Sequence, residues 1–234
     1  MNDFFSNQPG QSLEWFGLPH ILLTLGFVIS IVVLWILLPK LKDKSYEKWI
    51  RYFLIALVFL FEWRVFESRI LTTSLFRLPL CAVALYALTY AIAFKKEKAF
   101  NIVYFYAFGS LLSFLFYDTP WGLDRWDGWT FFGAHACIAW LAVYGVRTLG
   151  YTPNKKNLYQ SMIFLAVYAF VSGYATFKFG GSDELFLFTP PVDFLVALQD
   201  IHPLLYLLAF SAFVVLMLIL MYLPYFKRHK LKNK

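Results

Sequence analysis

The stretch LPHILLTLGFVISIVVLWILL at residues 18–38 runs directly into PKLKDKSYEKWIR at residues 39–51. The first carries no acidic residue, lysine or arginine and is long enough, at about 1.5 Å per helical residue, to cross a hydrocarbon layer of about 30 Å. The second holds Lys40, Lys42, Lys44, Lys48 and Arg51. An apolar run that stops on a basic loop is the pattern of a membrane helix ending at a cytoplasmic face.

The rest of the chain repeats this pattern. Hydrophobic residues make up 60% of the 234 and charged residues 15%. A soluble domain needs nearer a quarter charged, because its surface must be wetted. Apolar runs are predicted at Leu18–Leu38, Trp49–Glu67, Phe76–Phe94, Phe100–Tyr117, Trp129–Val146, Tyr159–Phe179 and Pro203–Phe226. The expected fold is therefore all-α, a polytopic bundle of seven transmembrane helices forming one domain over residues 1–234. The opening residues MNDFFSNQPGQSLEW lack the basic start of a signal peptide, so the first span is expected to remain as a membrane helix.

Charge gives the bundle a direction. The loop 40–51, the turn 95–98, the loop 147–156 and the tail after Phe226 together hold 16 of the 21 lysines and arginines. Of the 14 acids, only Asp43, Glu47 and Glu97 share that side. Basic residues collect on the cytoplasmic side, so the N-terminus is expected outside and the C-terminus inside. Trp15, Trp49, Trp121, Trp126, Trp129 and Tyr222 fall at predicted span ends, where amphipathic rings favour the interface. The net charge of +7 follows this topology, and no basic stripe suited to nucleic acid is present. The long loop 180–202 is too weakly apolar to cross and is expected to lie in the interface or fold back over the bundle. Asp193 is placed to cap a short helix there.

Ionisable groups inside spans are costly and mark candidate sites. In the predicted topology His20, Cys81 and His135 lie near the outer ends of spans 1, 3 and 5, and His202 stands at the mouth of span 7. Glu62, Arg64, Glu67 and Arg69 occupy the outer part of span 2, and Asp118 closes span 4. These groups share one outer layer. Each also has an ordinary structural reading: interfacial hydrogen bonding for His20 and His202, mutual neutralisation for the charges of span 2, and packing for Cys81 and Cys137. A cysteine and a histidine at matched depth nevertheless fit a nucleophile and its base, with Glu62 as orienter. A substrate at that depth would be a lipid.

The segments Leu18-Pro19-His20-Ile21, Arg77-Leu78-Pro79-Leu80-Cys81, Trp129-Thr130-Phe131-Phe132-Gly133-Ala134-His135 and Asp183-Glu184-Leu185-Phe186-Leu187 occur in the order found in the YwaF-like bacterial integral membrane proteins, which the chain resembles. Those proteins are similar to a vertebrate transmembrane acyltransferase that moves acyl groups between phospholipids through a cysteine thioester. A related animal group hydrolyses lipid esters with a threonine–histidine pair. The resemblance implies Cys81 as nucleophile and His135 as base in a multi-pass protein of the bacterial cell membrane; from the outer polar layer, His20, Glu62, Arg64 and Arg69 are expected to bind or orient. The bacterial pattern carries Gln or His after Leu-Pro-Leu and its cysteine two residues later. Here those positions are Cys81 and Val83. Its Asn-Tyr pair in the last outer loop is Asp183-Glu184 here.

Two other functions fit the same layout: a small-molecule carrier or substrate-binding subunit, and a non-catalytic scaffold. Continuous spans with few midplane charges argue against a stand-alone pump. The expected partners are membrane lipids rather than nucleic acid, and no metal or cofactor is expected.

Overall fold

A computed structural model describes residues 4–6, 8–42, 44–71, 78–117, 119–181 and 183–232, with the side chains of residues 68–71, 194 and 227–232 outside the description. Helices are α1 (Leu18–Leu37), α2 (Glu47–Leu71), α3 (Leu80–Ala93), α4 (Glu97–Val103), α5 (Phe108–Leu115), α6 (Trp126–Arg147), α7 (Lys155–Phe179), α8 (Asp193–Ile201) and α9 (Pro203–Lys232). No strand occurs among the described residues. Five helical stretches are long and apolar enough to cross a membrane: Leu18–Leu41, Glu97–Leu115, Trp126–Arg147, Lys155–Phe179 and Pro203–Phe226. Of the remainder, α3 is apolar but 14 residues long. The 25 residues of α2 include Glu62, Arg64 and Glu67.

At the centre of the bundle stands α6, packed against α1, α2, α3 and α5. Two-thirds of its most apolar window is buried (67%), against 11% for the windows of α1, α7 and α9, whose other faces are turned outward. Small residues make this possible. Ala134, Ala136, Ala139 and Ala142 on α6 and Ala82, Ala84 and Ala91 on α3 are buried. In lipid, where apolar side chains gain little by leaving the solvent, such residues let helix backbones approach and gain dispersion contacts. At Gly133 a Cβ would lie 2.5 Å from the Phe61 ring of α2. At Gly145 a Cβ would lie 2.2 Å from the Phe100 ring of α4.

The predicted fourth span is not one continuous α-helix. Between α4 and α5, residues Tyr104–Ala107 wind as a 3-10 helix, all four buried. The Tyr106 hydroxyl donates to the Ser161 carbonyl of α7 at 2.7 Å. The tighter winding shifts the angular register of α5 relative to α4. Helix α7 starts four residues before its predicted span, at a reciprocal cap in which Asn154 and Asn157 each accept the other's backbone N–H at 3.1 Å. The capping box satisfies two donors that a helix start otherwise leaves orphaned.

Polar ties fasten both ends of the bundle. At the end where the basic loops meet, the Glu47 carboxylate accepts from the hydroxyl of fully buried Tyr144 on α6. It also pairs with Arg51 and Lys95, each at 3.5 Å. Arg51 in turn donates to the Ala93 carbonyl at the end of α3 (3.3 Å). Arg147 donates to the Trp35 carbonyl at 3.1 Å and stacks over the Trp35 ring. At the opposite end the N-terminal segment is laced to the start of α6. The Trp126 N–H donates to Phe4 O at 2.7 Å, and the Gln11 N–H to the Asp124 carboxylate at 3.1 Å.

The loop after α7 folds back over the bundle. Asp183 accepts the N–H groups of Leu187, Phe188 and Thr189 at 3.0, 2.6 and 2.9 Å, and Leu185 is buried. Phe186 holds a left-handed backbone (φ 55°) and its carbonyl accepts from the Tyr206 hydroxyl. The short helix predicted after Asp193 exists, but its N-cap is Val192, with no side-chain cap bond. Asp193 sits in the first turn, where its charge favours the positive end of the helix dipole. Trp15, Trp49 and Trp129 are exposed to the surroundings, whereas Tyr222 is buried against its neighbours.

Burial alone would push the Glu47 carboxyl up. The Tyr144 hydroxyl, Arg51 and Lys95 outweigh it and hold the group below its ordinary value. A depressed carboxyl contributes stability above its unfolded value and loses it as pH falls through the lowered one. Glu47→Gln should therefore cost about 1.5–3 kcal/mol near neutral pH. The gap should close in acid, as thermal unfolding of both proteins across a pH series will show.

Candidate functional site

A cavity of about 1460 Å³ opens between α2, α3, α5, α6, α7 and α9, roofed by the loop after α7. One end is charged, with Glu62, Arg64, Glu67, Asp127 and Glu184 on its wall. The other is apolar, closed by Ile138, Met162, Leu165, Val214 and Leu218. An elongated amphiphile matches that gradient, with its polar part at the charged mouth and its chain among the apolar side chains.

Cys81 and His135 both line this cavity. Cys81 is half-buried in the first turn of α3, whose N-cap, Pro79, is extended. Proline suits that position because it has no N–H to lose. The segment leading into α3 is pinned by Tyr168 of α7. Its hydroxyl donates to Leu78 O at 2.6 Å and accepts the Leu78 N–H at 2.9 Å. The thiol thus sits at a fixed place near the helix end whose dipole favours an anion. From α3 the cavity is lined by Pro79, Leu80, Cys81, Ala82 and Leu85; Val83 is not on that wall. The cysteine therefore occupies a position from which the cavity is reached.

His135 is 7% exposed. Its Nδ1 lies 2.7 Å from the Phe131 carbonyl one turn earlier. A carbonyl only accepts, so Nδ1 carries the proton and Nε2 is left with a lone pair. That is the tautomer a general base requires. The orienting bond that sequence reasoning gave to Glu62 comes here from the α6 backbone. Glu62, itself buried, accepts from the Tyr86 hydroxyl at 2.6 Å.

Arg64 joins three elements at the mouth. It donates to the Phe5 carbonyl at 3.1 Å and approaches Asp127 of α6 at 3.9 Å. The side chain of Arg69, the residues Phe76 and Arg77 at the predicted start of span 3, and Asp118 lie outside the described residues. His20 is not among the residues on the cavity wall. Its Nε2–H donates to the Phe114 carbonyl near the end of α5 (2.7 Å), and its Nδ1 accepts the Phe16 N–H (3.0 Å). It thereby satisfies a carbonyl that the end of α5 leaves unpaired. His202 ends α8 and accepts the Leu204 N–H at 3.2 Å. Cys137 is buried in the core. Sequence reasoning missed Tyr86, Thr130 and Tyr168, because polar residues without charge carry no signal until the chain folds around them.

Fold and site together define a helical membrane protein with an internal amphipathic cavity that opens at a polar layer. A model of the TMEM164 family matches residues 15–222, and the chain belongs to that family. No curated protein and no solved structure matches the chain.

The two histidines should separate on mutation. His20→Ala leaves the Phe16 N–H without its partner and the Phe114 carbonyl with the Thr24 hydroxyl alone, which costs about 1–3 kcal/mol. We expect a lower melting temperature with unchanged reaction of Cys81 toward a lipid-like thiol reagent in the folded protein. His135→Ala should slow that reaction.

Proposed function

We propose that this protein is a lipid acyltransferase of seven spans that works through a thioester on Cys81. One observation carries the reading: Cys81 and His135, whose Nδ1 is held by the Phe131 carbonyl, line the same amphipathic cavity. The likeness to the YwaF-like proteins and to the cysteine acyltransferase related to them supports the same chemistry.

In this reading a lipid ester enters with its chain among the apolar side chains and its carbonyl beside Cys81. His135 Nε2 takes the thiol proton as sulfur attacks the carbonyl carbon. The carbon–oxygen ester bond breaks, and the departing alcohol oxygen takes the proton back from His135. A second lipid then gives its hydroxyl proton to His135 and attacks the thioester, which regenerates the thiol. Water in place of that lipid would make the same site a hydrolase. The large cavity disfavours a pure scaffold.

Reconstituted with a phospholipid bearing an alkyne-tagged acyl chain, the protein should acquire a hydroxylamine-labile tag on Cys81. Cys81→Ser should lack it, and His135→Ala should form it about 10²- to 10⁴-fold more slowly. Normal acyl turnover by Cys81→Ser would sink the proposal.

The proposed membrane topology completes the picture. We take α2, and α3 with its lead-in, as spans beside the five longer stretches, with the N-terminus outside the cell membrane and the basic tail in the cytoplasm. In intact cells a membrane-impermeant maleimide should label Ser12→Cys and spare Lys156→Cys, and lysis should expose the second. The reverse pattern would invert the orientation and move the cavity mouth to the cytoplasmic leaflet.

A further inference from the structure

Five buried side-chain polar atoms have no hydrogen-bond partner among the described residues: those of Arg51 (Nε), Asn101, Tyr117, Thr130 and Ser161. Of these residues only Thr130 is on the cavity wall. It is 2% exposed. Of the other hydroxyls on that wall, Tyr106 pairs with the Ser161 carbonyl, Ser113 with the Gly109 carbonyl and Thr119 with the Trp121 N–H, and Ser211 is exposed rather than buried. A threonine inside a helix commonly donates to the carbonyl one turn back. Thr130 makes no such bond.

Its position along α6 gives the vacancy a meaning. Asp127, Thr130, Phe131, Ala134, His135 and Ile138 recur at spacings of one, three and four, so they form one stripe of the helix along the cavity. At 1.5 Å per residue, Thr130 stands about 7.5 Å from His135 toward the mouth and about 4.5 Å short of Asp127. It lies between the reacting layer and the charged layer, where a lipid's chain meets its headgroup.

We propose that Thr130 is the anchor for the oxygen-bearing glycerol segment of the lipid in this cavity, its hydroxyl donating to an ester carbonyl or hydroxyl oxygen there. The inference rests on the reading of the cavity as a lipid site. A buried donor left unpaired is costly, and a ligand that supplies the acceptor recovers that cost. The site then prefers lipids with a polar link between headgroup and chain over those whose chain joins the headgroup directly. Sites built to pair with a substrate's polar group discriminate strongly against analogues that lack it.

The test uses full-length Cys81→Ala protein in nanodiscs, so that binding is read without acyl transfer. Two single-chain competitors share a phosphocholine headgroup and chain length: a lysophosphatidylcholine, with its ester and hydroxyl, and an alkylphosphocholine, with neither. Each is titrated against a photoactivatable fatty-chain probe. Thr130→Val should raise the lysophosphatidylcholine concentration needed for displacement about fivefold, the value of one ordinary hydrogen bond. It should leave the alkylphosphocholine curve unmoved, and Thr130→Ser should restore the first. Thr130→Ala gives the same comparison if valine packs badly, and alkylphosphocholine binding reports an intact cavity. Unchanged displacement by lysophosphatidylcholine, or equal weakening of both competitors, would overturn the proposal. Either result leaves the thioester test on Cys81 standing, and loss of the thioester leaves this one standing.

Discussion

The close packing of α6 is the constraint on which the structure depends. In lipid the hydrophobic effect that condenses a soluble core is absent, because the surroundings are as apolar as the side chains. What holds helices together is dispersion between closely fitted surfaces and the pairing of every polar group that cannot reach water. Helix α6 answers both demands. Its alanines and glycines admit α2, α3 and α4 at short range, with Phe61 against Gly133 and Phe100 against Gly145. Its basic end receives Glu47 through Tyr144, and its opposite end receives the N-terminal segment through Trp126.

The same helix explains why a cavity exists beside so tight a core. Helices α1, α2, α3 and α5 pack on α6, while the 3-10 winding of Tyr104–Ala107 turns α5 and the loop after α7 arches over the cavity. The cavity is lined by residues from seven helices and ranges from charged to apolar. The polar features of the wall belong to different devices. Tyr168 holds the start of α3, Phe131 fixes the His135 tautomer, and Arg64 ties the N-terminal segment to α6. Each is a hydrogen bond to backbone or an ion pair between elements, and each pins a side chain that would otherwise be loose in the bilayer.

Much of the architecture was legible from the chain alone. Apolar runs and basic loops mark the helices to within a few residues, because a membrane demands a length and a polarity that few sequences meet by chance. For the candidate site, depth along the spans nominated Cys81 and His135, and both line one cavity. The packing of His20 was not legible. Depth placed it with the others, yet angle decides which neighbour a side chain meets, and at its angle the neighbour is the end of α5. Charge spacing along α2 likewise suggested internal pairs. Arg64 also bridges to Asp127 on another helix and Glu62 meets Tyr86, while the Arg69 side chain lies outside the described residues.

By itself, then, the sequence determined that this is a helical membrane protein, which segments are apolar, and which end of the bundle is basic. Those properties follow from solvation, which acts on each residue according to its type and its place along the chain. Only the tertiary structure decided which outer-layer groups share a cavity, which imidazole nitrogen is free, and that Thr130 lacks a partner. Those depend on helix rotation and on the break within the fourth helical segment. Rotation is set by the fit of small residues across interfaces, a property of pairs of surfaces that no single stretch of chain contains.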